Sequence, residues 1–127
     1  MDSRTRLIVR ERAGDQCEYC QRRQETSPLF RLQIEHIIPI KHGGGDELSN
    51  IALACAECNL KKSSDLAGLD PLTKALTPWF NPRRDHWYEH FEWDKLQING
   101  LTDVGRTTVR VLDLNSPERL RVRLATR

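Results

Sequence analysis

The sequence predicts a small α+β domain built around two pairs of cysteines. Each pair has the form Cys-x-x-Cys, and together the pairs enclose two short runs with strand-like patterns that a glycine loop separates. A short helix is predicted around the end of the second pair, and a hairpin followed by helices is predicted in the second half. A length of 127 residues suits one domain with a single modest core.

The first helix is predicted over Ser3–Ala13, with the leading serine as its N-cap and Gly14 at its end. Residues 30–35 alternate between apolar and polar side chains, which is the pattern of a half-buried strand. The glycines at 43–45 predict a loop, and the apolar run Ile51–Ala54 predicts a second strand. We therefore expect two strands and their connecting loop between the cysteine pairs.

The second half of the chain predicts a different set of elements. Several prolines fall within residues 70–85, so irregular structure is expected there. Residues 91–98 alternate on either side of a polar pair and predict a hairpin. Thr102 is a predicted helix cap, and Ser116-Pro117 predicts the start of the last helix by its cap and its first-turn proline.

Composition and charge narrow the function only a little. Hydrophobic residues make up 38% of the chain and charged residues 30%, which is typical of a globular protein. The formal net charge of +2 neither requires nor excludes a nucleic acid partner. No apolar run approaches the roughly 20 residues that span a bilayer. The polar, charged N-terminal residues do not resemble a secretion signal, so a cytoplasmic protein without a membrane partner is expected.

The cysteines occur only as two pairs, Cys17 with Cys20 and Cys55 with Cys58. A two-residue spacer lets both thiolates of a pair face one point, and two pairs supply the four soft ligands of tetrahedral Zn²⁺. Because four thiolates complete the coordination, the sequence predicts one structural zinc ion per chain that does no chemistry.

Three other uses of the same cysteines compete with zinc. Disulfides require an oxidising compartment, for which the sequence has no signal. A thioredoxin-like redox site needs only one Cys-x-x-Cys, placed beside a βαβ pattern. An iron–sulfur cluster is compatible with four cysteines and stays open.

A second group of polar residues lies between and just after the cysteine pairs: Glu35, His36, Asn50 and Asn59. The motifs of this half of the chain, in order, are Cys17-x-x-Cys20, Ile34-Glu35-His36-Ile37-Ile38-Pro39, Gly43-Gly44, Asn50-Ile51-x-Leu53-x-Cys55 and Cys58-Asn59-x-x-Lys62. In this order and spacing they resemble the HNH endonuclease family. Farther along, Phe80-Asn81-Pro82-Arg83 and His90-Phe91-x-Trp93 are similar to segments of stand-alone bacterial HNH proteins.

The resemblance implies a ββα-metal fold, also called a His-Me finger, in which a hairpin packs on a helix around the active site. It implies that His36 is the general base and that Asn50 steadies the loop carrying this histidine. Glu35 and Asn59 would share the catalytic metal ion. The family more often has aspartate at the position of Glu35, whereas both histidine and asparagine occur at the position of Asn59.

The chemistry of these side chains supports the same function. Carboxylate and amide oxygens suit a hard cation such as Mg²⁺, which neutralises a phosphate and stabilises the leaving oxygen. A neutral imidazole near pH 7 can take a proton from the attacking water. Because adjacent strand residues face opposite sides, we expect a bulge or loop to bring Glu35 and His36 into one groove.

These features predict one domain over residues 1–127, with a zinc-stapled core over residues 14–64. Residues 65–127 are expected to pack on that core as a hairpin-plus-helix wrap. The predicted activity is hydrolysis of DNA phosphodiesters, dependent on Mg²⁺ or another divalent ion, with the DNA bound mainly through its phosphates.

Lys61 and Lys62 lie on the helix predicted over residues 59–65 and are candidate contacts to the DNA backbone. The alternative function is a non-catalytic zinc-knuckle module that binds nucleic acid, which needs the cysteines and lysines but neither Glu35 nor His36. RNA is left open as a substrate, and the sequence carries no signal of the oligomeric state.

Overall fold

A computed structural model describes residues 1–26 and 29–126 of the chain. The chain divides into two compact units, in which Met1–Ser64 with Asn81–Arg83 form unit 1 and Asp65–Phe80 with Arg84–Arg127 form unit 2. The predicted single domain, with an extension packed on a core, stays a prediction. Within the described ranges, every helix is too short or too polar to cross a membrane.

The first helix, α1, runs over Ser3–Ala13 as predicted, but its N-cap is Asp2 rather than Ser3. The Asp2 carboxylate accepts a hydrogen bond from the Thr5 backbone N–H at 2.8 Å, which satisfies an otherwise unpaired donor of the first turn. Gly14 ends the helix in the left-handed region, with a φ of 66°. The predicted bounds are confirmed, and the predicted cap is wrong.

Strands β1 (Gln33–His36) and β2 (Ile51–Ala54) pair antiparallel between the cysteine pairs. The strand predicted over residues 30–35 is therefore shifted toward the C-terminus. The ladder runs through four consecutive residue pairs without interruption. The strand therefore has no bulge at Glu35 and His36, and that expectation is wrong. All of β2 is buried, which makes it the centre of unit 1.

Helix α1 is attached to this hairpin by polar contacts rather than by a broad apolar face. Val9 is its buried side chain, at 0% exposure. The guanidinium of Arg12 donates to the Leu48 carbonyl oxygen at 2.8 Å and to the Ile51 carbonyl oxygen at 2.7 Å. These bonds fix the end of α1 to the start of β2.

The helix α2 covers Ala56–Lys62 and begins earlier than the predicted residues 59–65. Cys55 caps it, because its Sγ accepts a hydrogen bond from the Cys58 backbone N–H at 3.4 Å. Ser63 follows the helix with a positive φ of 50°. Cysteine is not among the common N-cap residues, which explains why the prediction from sequence began the helix too late.

The loop between β1 and β2 is folded tightly around Gly44. Two short 3-10 turns, Ile40–His42 and Leu48–Asn50, lie within it. A Cβ atom on Gly44 would lie 1.7 Å from the Ile38 carbonyl oxygen, so the backbone passes where a side chain would stand. Glycine is therefore required at this position to let the two sides of the loop meet.

Unit 2 contains two antiparallel hairpins and three helices within the described residues. The elements in chain order are β3 (Ala67–Leu69), β4 (Leu76–Pro78), α3 (Trp87–His90), β5 (Phe91–Asp94), β6 (Gln97–Gly100), α4 (Asp103–Val111) and α5 (Pro117–Thr126). The hairpin predicted over residues 91–98 is confirmed as β5–β6. Thr102 caps α4 as predicted, because its Oγ1 accepts from the Gly105 N–H at 3.0 Å.

Most of residues 70–85 is irregular as expected, and only β4 interrupts this stretch, where it pairs with β3. Asp70 organises the turn of this hairpin, because its carboxylate accepts a hydrogen bond from the Thr73 hydroxyl at 3.0 Å. Arg106 donates two further bonds to the same carboxylate, at 3.0 and 2.9 Å. Pro78 is compatible with the strand because it occupies the last position of β4.

Substitution of Gly44 by alanine is expected to destabilise the protein by about 3 kcal/mol or more, because the new methyl group overlaps backbone atoms that must move. Gly43→Ala is the matched control: its φ of 90° strains a side chain, but nothing lies within 4 Å of the added Cβ. The control should cost only about 1 kcal/mol. Urea denaturation measures both, and equal costs would contradict the close approach at Gly44.

Candidate functional site

The four cysteine thiols of unit 1 form one buried cluster. Their Sγ atoms all lie within 4.8 Å of one another, and the Sγ atoms of Cys20 and Cys55 are 3.7 Å apart. Sulfurs placed 2.3 Å from a tetrahedral zinc ion lie about 3.8 Å from each other, so the cluster has the dimensions of such a site. Hydrogen bonds from neighbouring thiols, Cys17 first, lower the pKa of Cys55, whereas burial raises the pKa of Cys17.

The first cysteine pair is fixed to β2 by the residue that follows Cys17. The backbone N–H of Glu18 donates to the Leu53 carbonyl oxygen at 2.9 Å, and the Glu18 carboxylate accepts from the Leu53 N–H at 2.8 Å. The turn itself is closed by a bond from the Gln21 N–H to the Cys17 carbonyl oxygen at 2.9 Å. The cysteine pair and the central strand therefore hold each other in place.

Glu35 lies in the interior of unit 1, with only 5% of the residue exposed. The Tyr19 hydroxyl donates a hydrogen bond to its Oε1, and the Lys62 ammonium lies 3.2 Å from its Oε2. Burial raises the pKa of Glu35, while Lys62 and Tyr19 lower it. Burial also raises the pKa of the Tyr19 phenol, which keeps the hydroxyl protonated as a donor.

Lys62 has an unusual environment for a lysine, because its side chain is 1% exposed. Besides pairing with Glu35, its ammonium donates to the carbonyl oxygens of His36 at 3.1 Å and Ile37 at 2.9 Å. All three protons of the ammonium therefore have acceptors within unit 1. The ammonium ties the last residues of β1 to the end of α2.

His36 points away from this interior network, as strand alternation requires. Its Nε2 lies 2.6 Å from Oδ1 of Asp46, and its side chain is 24% exposed. Asp46 follows the glycine loop and is a contact that the sequence analysis missed. Asp46 lies ten residues after His36, beyond the glycine loop. This separation follows neither strand nor helix periodicity, so no sequence pattern predicted the pairing.

Asn50 holds together the loop that follows His36. Its Oδ1 accepts from the Ile38 N–H at 2.8 Å, and its Nδ2 donates to the carbonyl oxygens of Ile38 at 3.0 Å and Gly45 at 2.9 Å. The side chain is buried, so these bonds are shielded from water. Asn50 thus fixes both ends of the segment between His36 and Asp46.

Asn59 lies on α2, where it faces β1. Its Nδ2 donates to Gln33 Oε1 at 2.7 Å. Gln33 and Glu35 share one face of the strand, and Asn59 and Lys62 share one face of the helix. The structure thus brings Glu35 and Asn59 to the same side of β1, while His36 lies on the other side.

The donor set of Glu35 and Asn59 fits a hard divalent cation in its chemistry. A carboxylate offers about four lone-pair sites, so the bonds to Tyr19 and Lys62 do not exhaust it. Asn59 donates through its nitrogen, and its Oδ1 has no hydrogen-bond partner among the residues that the structure describes. Oxygen donors of this kind match the ligands that Mg²⁺ takes in proteins.

The region that contains this site was compared with known protein families. Residues 17–65 match the family model described as HNH endonuclease. This part of the chain is therefore similar to an HNH endonuclease domain. The match begins at the first cysteine of the cluster and ends just after α2, so it contains each of the site residues discussed above.

The matched region has the predicted α+β class and ββα-metal architecture: β1 and β2 pair, α2 follows, and the cysteine cluster can hold a metal ion such as zinc. The two lysines predicted to contact DNA differ in their exposure. Lys61 is exposed on α2, whereas the side chain of Lys62 is buried and pairs with Glu35.

One curated relative is the Septu protein PtuB from Bacillus thuringiensis, which is 26% identical over 122 residues. The alignment covers 91% of this chain and 42% of that protein. The chain therefore spans less than half the length of its relative. No solved structure shows significant similarity to the chain.

The protein is expected to carry one zinc ion per chain, because four thiolates fill one tetrahedral site. Cys58→Ser should lose the ion and unfold unit 1, since structural zinc binding is worth roughly 10–16 kcal/mol in small domains. Elemental analysis of the purified proteins measures the metal. Iron in place of zinc, or full zinc content in the variant, would contradict the prediction.

Lys62→Met is expected to destabilise the zinc-loaded protein by about 3–5 kcal/mol, because it leaves the buried Glu35 carboxylate without its counter-charge. Lys61→Met is the matched control on the exposed side of α2 and should change stability by less than about 0.5 kcal/mol. Urea denaturation of both variants compares them. A negligible effect of Lys62→Met would show that the ammonium is not buried as described.

Proposed function

We propose that the HNH domain is a metal-dependent endonuclease that hydrolyses DNA phosphodiesters with His36 as the general base. The observation that carries this proposal is the position of His36 within the domain. Its imidazole is partly exposed at the end of β1, it contacts Asp46 through Nε2, and it precedes a loop that Asn50 holds.

The contact with Asp46 determines which nitrogen of His36 can act as the base. When the Nε2–H donates to the Asp46 carboxylate, the neutral ring keeps its lone pair on Nδ1. Nδ1 is then the atom that takes a proton from water. Asp46 also restrains the ring orientation, as a carboxylate does for the histidine of other hydrolytic sites.

Glu35 and Asn59 are the residues that would hold the divalent cation, through one carboxylate and one amide oxygen. When bound, Mg²⁺ or another divalent ion supplies charge neutralisation of the phosphate and of the leaving oxygen. The Lys62 ammonium already lies 3.2 Å from Glu35, so it must share the carboxylate with the ion or withdraw. Lys61, exposed on the same helix, is the remaining lysine candidate for a contact to a phosphate.

A second candidate function is a zinc-containing module that binds nucleic acid without cutting it. The observation that favours it is the arrangement around β1, where Glu35 and His36 face opposite sides and each already has a partner. A binding module needs no shared cleft for these residues. DNA retention without cleavage in Mg²⁺, Mn²⁺ or Ni²⁺ would support this function and reject the nuclease.

Purified protein is expected to nick supercoiled plasmid DNA in Mg²⁺ and to lose this activity when EDTA is present. His36→Ala should lower the rate by about 10²–10⁴-fold, because the variant lacks a base to activate water. His86→Ala, at an exposed position of unit 2, is the control and should cut normally. Full activity of a zinc-containing His36→Ala protein would reject the assigned base.

Asp46→Asn is expected to lower the nicking rate by roughly tenfold or more, because the ring of His36 loses the carboxylate that orients it. Its exposed neighbour Glu47 provides the control, since Glu47→Gln removes one charge from the same loop. Plasmid nicking rates at saturating DNA compare the two variants. Equal rates for both would show that Asp46 does not position the base.

A further inference from the structure

The phenol of Tyr19 connects the cysteine cluster directly to the carboxylate proposed to bind the catalytic ion. Tyr19 lies between Cys17 and Cys20 in the chain, and only 1% of the residue is exposed. Its hydroxyl donates to Oε1 of Glu35. A side chain adjacent to a zinc ligand therefore touches a residue of the second site.

The segment that carries Tyr19 is held in place by contacts on both sides of this residue. Cys20 belongs to the thiol cluster, and Glu18 binds both backbone groups of Leu53 in β2. Leu53 in turn lies opposite Ile34, the residue before Glu35, in the strand ladder. The segment that carries Tyr19 thus cannot shift relative to β1 without breaking the cluster or the hairpin.

The two oxygens of Glu35 are held by partners of different kinds. Lys62, at Oε2, brings a positive charge that a divalent ion would repel. Tyr19, at Oε1, is a neutral donor and can stay in place when a cation binds the same carboxylate. Of the two contacts, the phenol is therefore the one suited to orient the carboxylate of the metal-loaded protein.

We propose that Tyr19 is a positioning residue that sets the orientation of Glu35 for the divalent ion and thereby couples the four-cysteine centre to the affinity for that ion. This inference rests on the proposed role of Glu35 as a metal ligand. Because coupling between two binding sites is reciprocal, the divalent ion must strengthen zinc binding by the same factor.

The test uses the full-length, zinc-loaded protein with Mn²⁺ as the probe, and Mn²⁺ affinity is measured by electron paramagnetic resonance. Tyr19→Phe removes only the hydroxyl and is expected to weaken Mn²⁺ binding by about 10–100-fold, as loss of an outer partner of a metal ligand does. Tyr88→Phe is the matched control, because Tyr88 is 67% exposed in unit 2. Unchanged Mn²⁺ affinity in Tyr19→Phe would overturn the proposal.

A second measurement needs no Tyr19 variant. Zinc affinity of the unmodified protein is determined by competition with a chelator, with and without saturating Mg²⁺. The proposal expects Mg²⁺ to tighten zinc binding, and an identical zinc affinity in both conditions would overturn the coupling even if Tyr19→Phe failed to fold.

A Glu35→Gln variant separates this inference from the function on which it rests. Weaker Mn²⁺ binding in Glu35→Gln together with wild-type binding in Tyr19→Phe rejects the role of Tyr19 alone. Wild-type Mn²⁺ binding in Glu35→Gln rejects Glu35 as a metal ligand, and the positioning role falls with it.

Discussion

The buried carboxylate of Glu35 is the interaction on which the arrangement of unit 1 depends. It receives the Tyr19 hydroxyl from the first cysteine pair and the Lys62 ammonium from the end of α2, while β1 carries it. A buried carboxylate is costly unless it has such partners, so the strand, the helix and the cysteine pair must be assembled together. The same contacts determine how much of the carboxylate a second cation can reach.

In the proposed function, two kinds of metal chemistry are kept apart in this small unit by ligand type and by position. Four buried thiolates suit a soft or borderline ion with no open coordination position, which serves structure. Glu35 and Asn59 offer oxygen atoms at the α2 side of β1, a donor type that suits a hard ion. His36 lies on the opposite side of the strand, so a phosphodiester attacked there must reach the edge of β1 to meet both groups.

Local patterns in the sequence predicted the parts of the site that depend on local spacing. The cysteine spacing predicted the cluster, and the apolar run predicted β2. The role of Asn50 in steadying its loop was implied by the family resemblance, and its three hydrogen bonds are compatible with that role. Contacts between distant segments were not predictable in this way. Lys62 looks like a surface lysine in sequence, and only the packing of α2 on β1 buries it; Asp46 meets His36 only because the loop folds back around Gly44.

The central claim, that thiolates hold one ion while Glu35 and Asn59 hold another, is tested most directly by anomalous X-ray diffraction from crystals soaked in Mn²⁺. Data collected at the zinc and manganese absorption edges distinguish the two elements. Zinc is expected among the four cysteines, and manganese is expected in contact with both Glu35 and Asn59. Manganese bound instead between His36 and Asp46, or no manganese in unit 1, would contradict it.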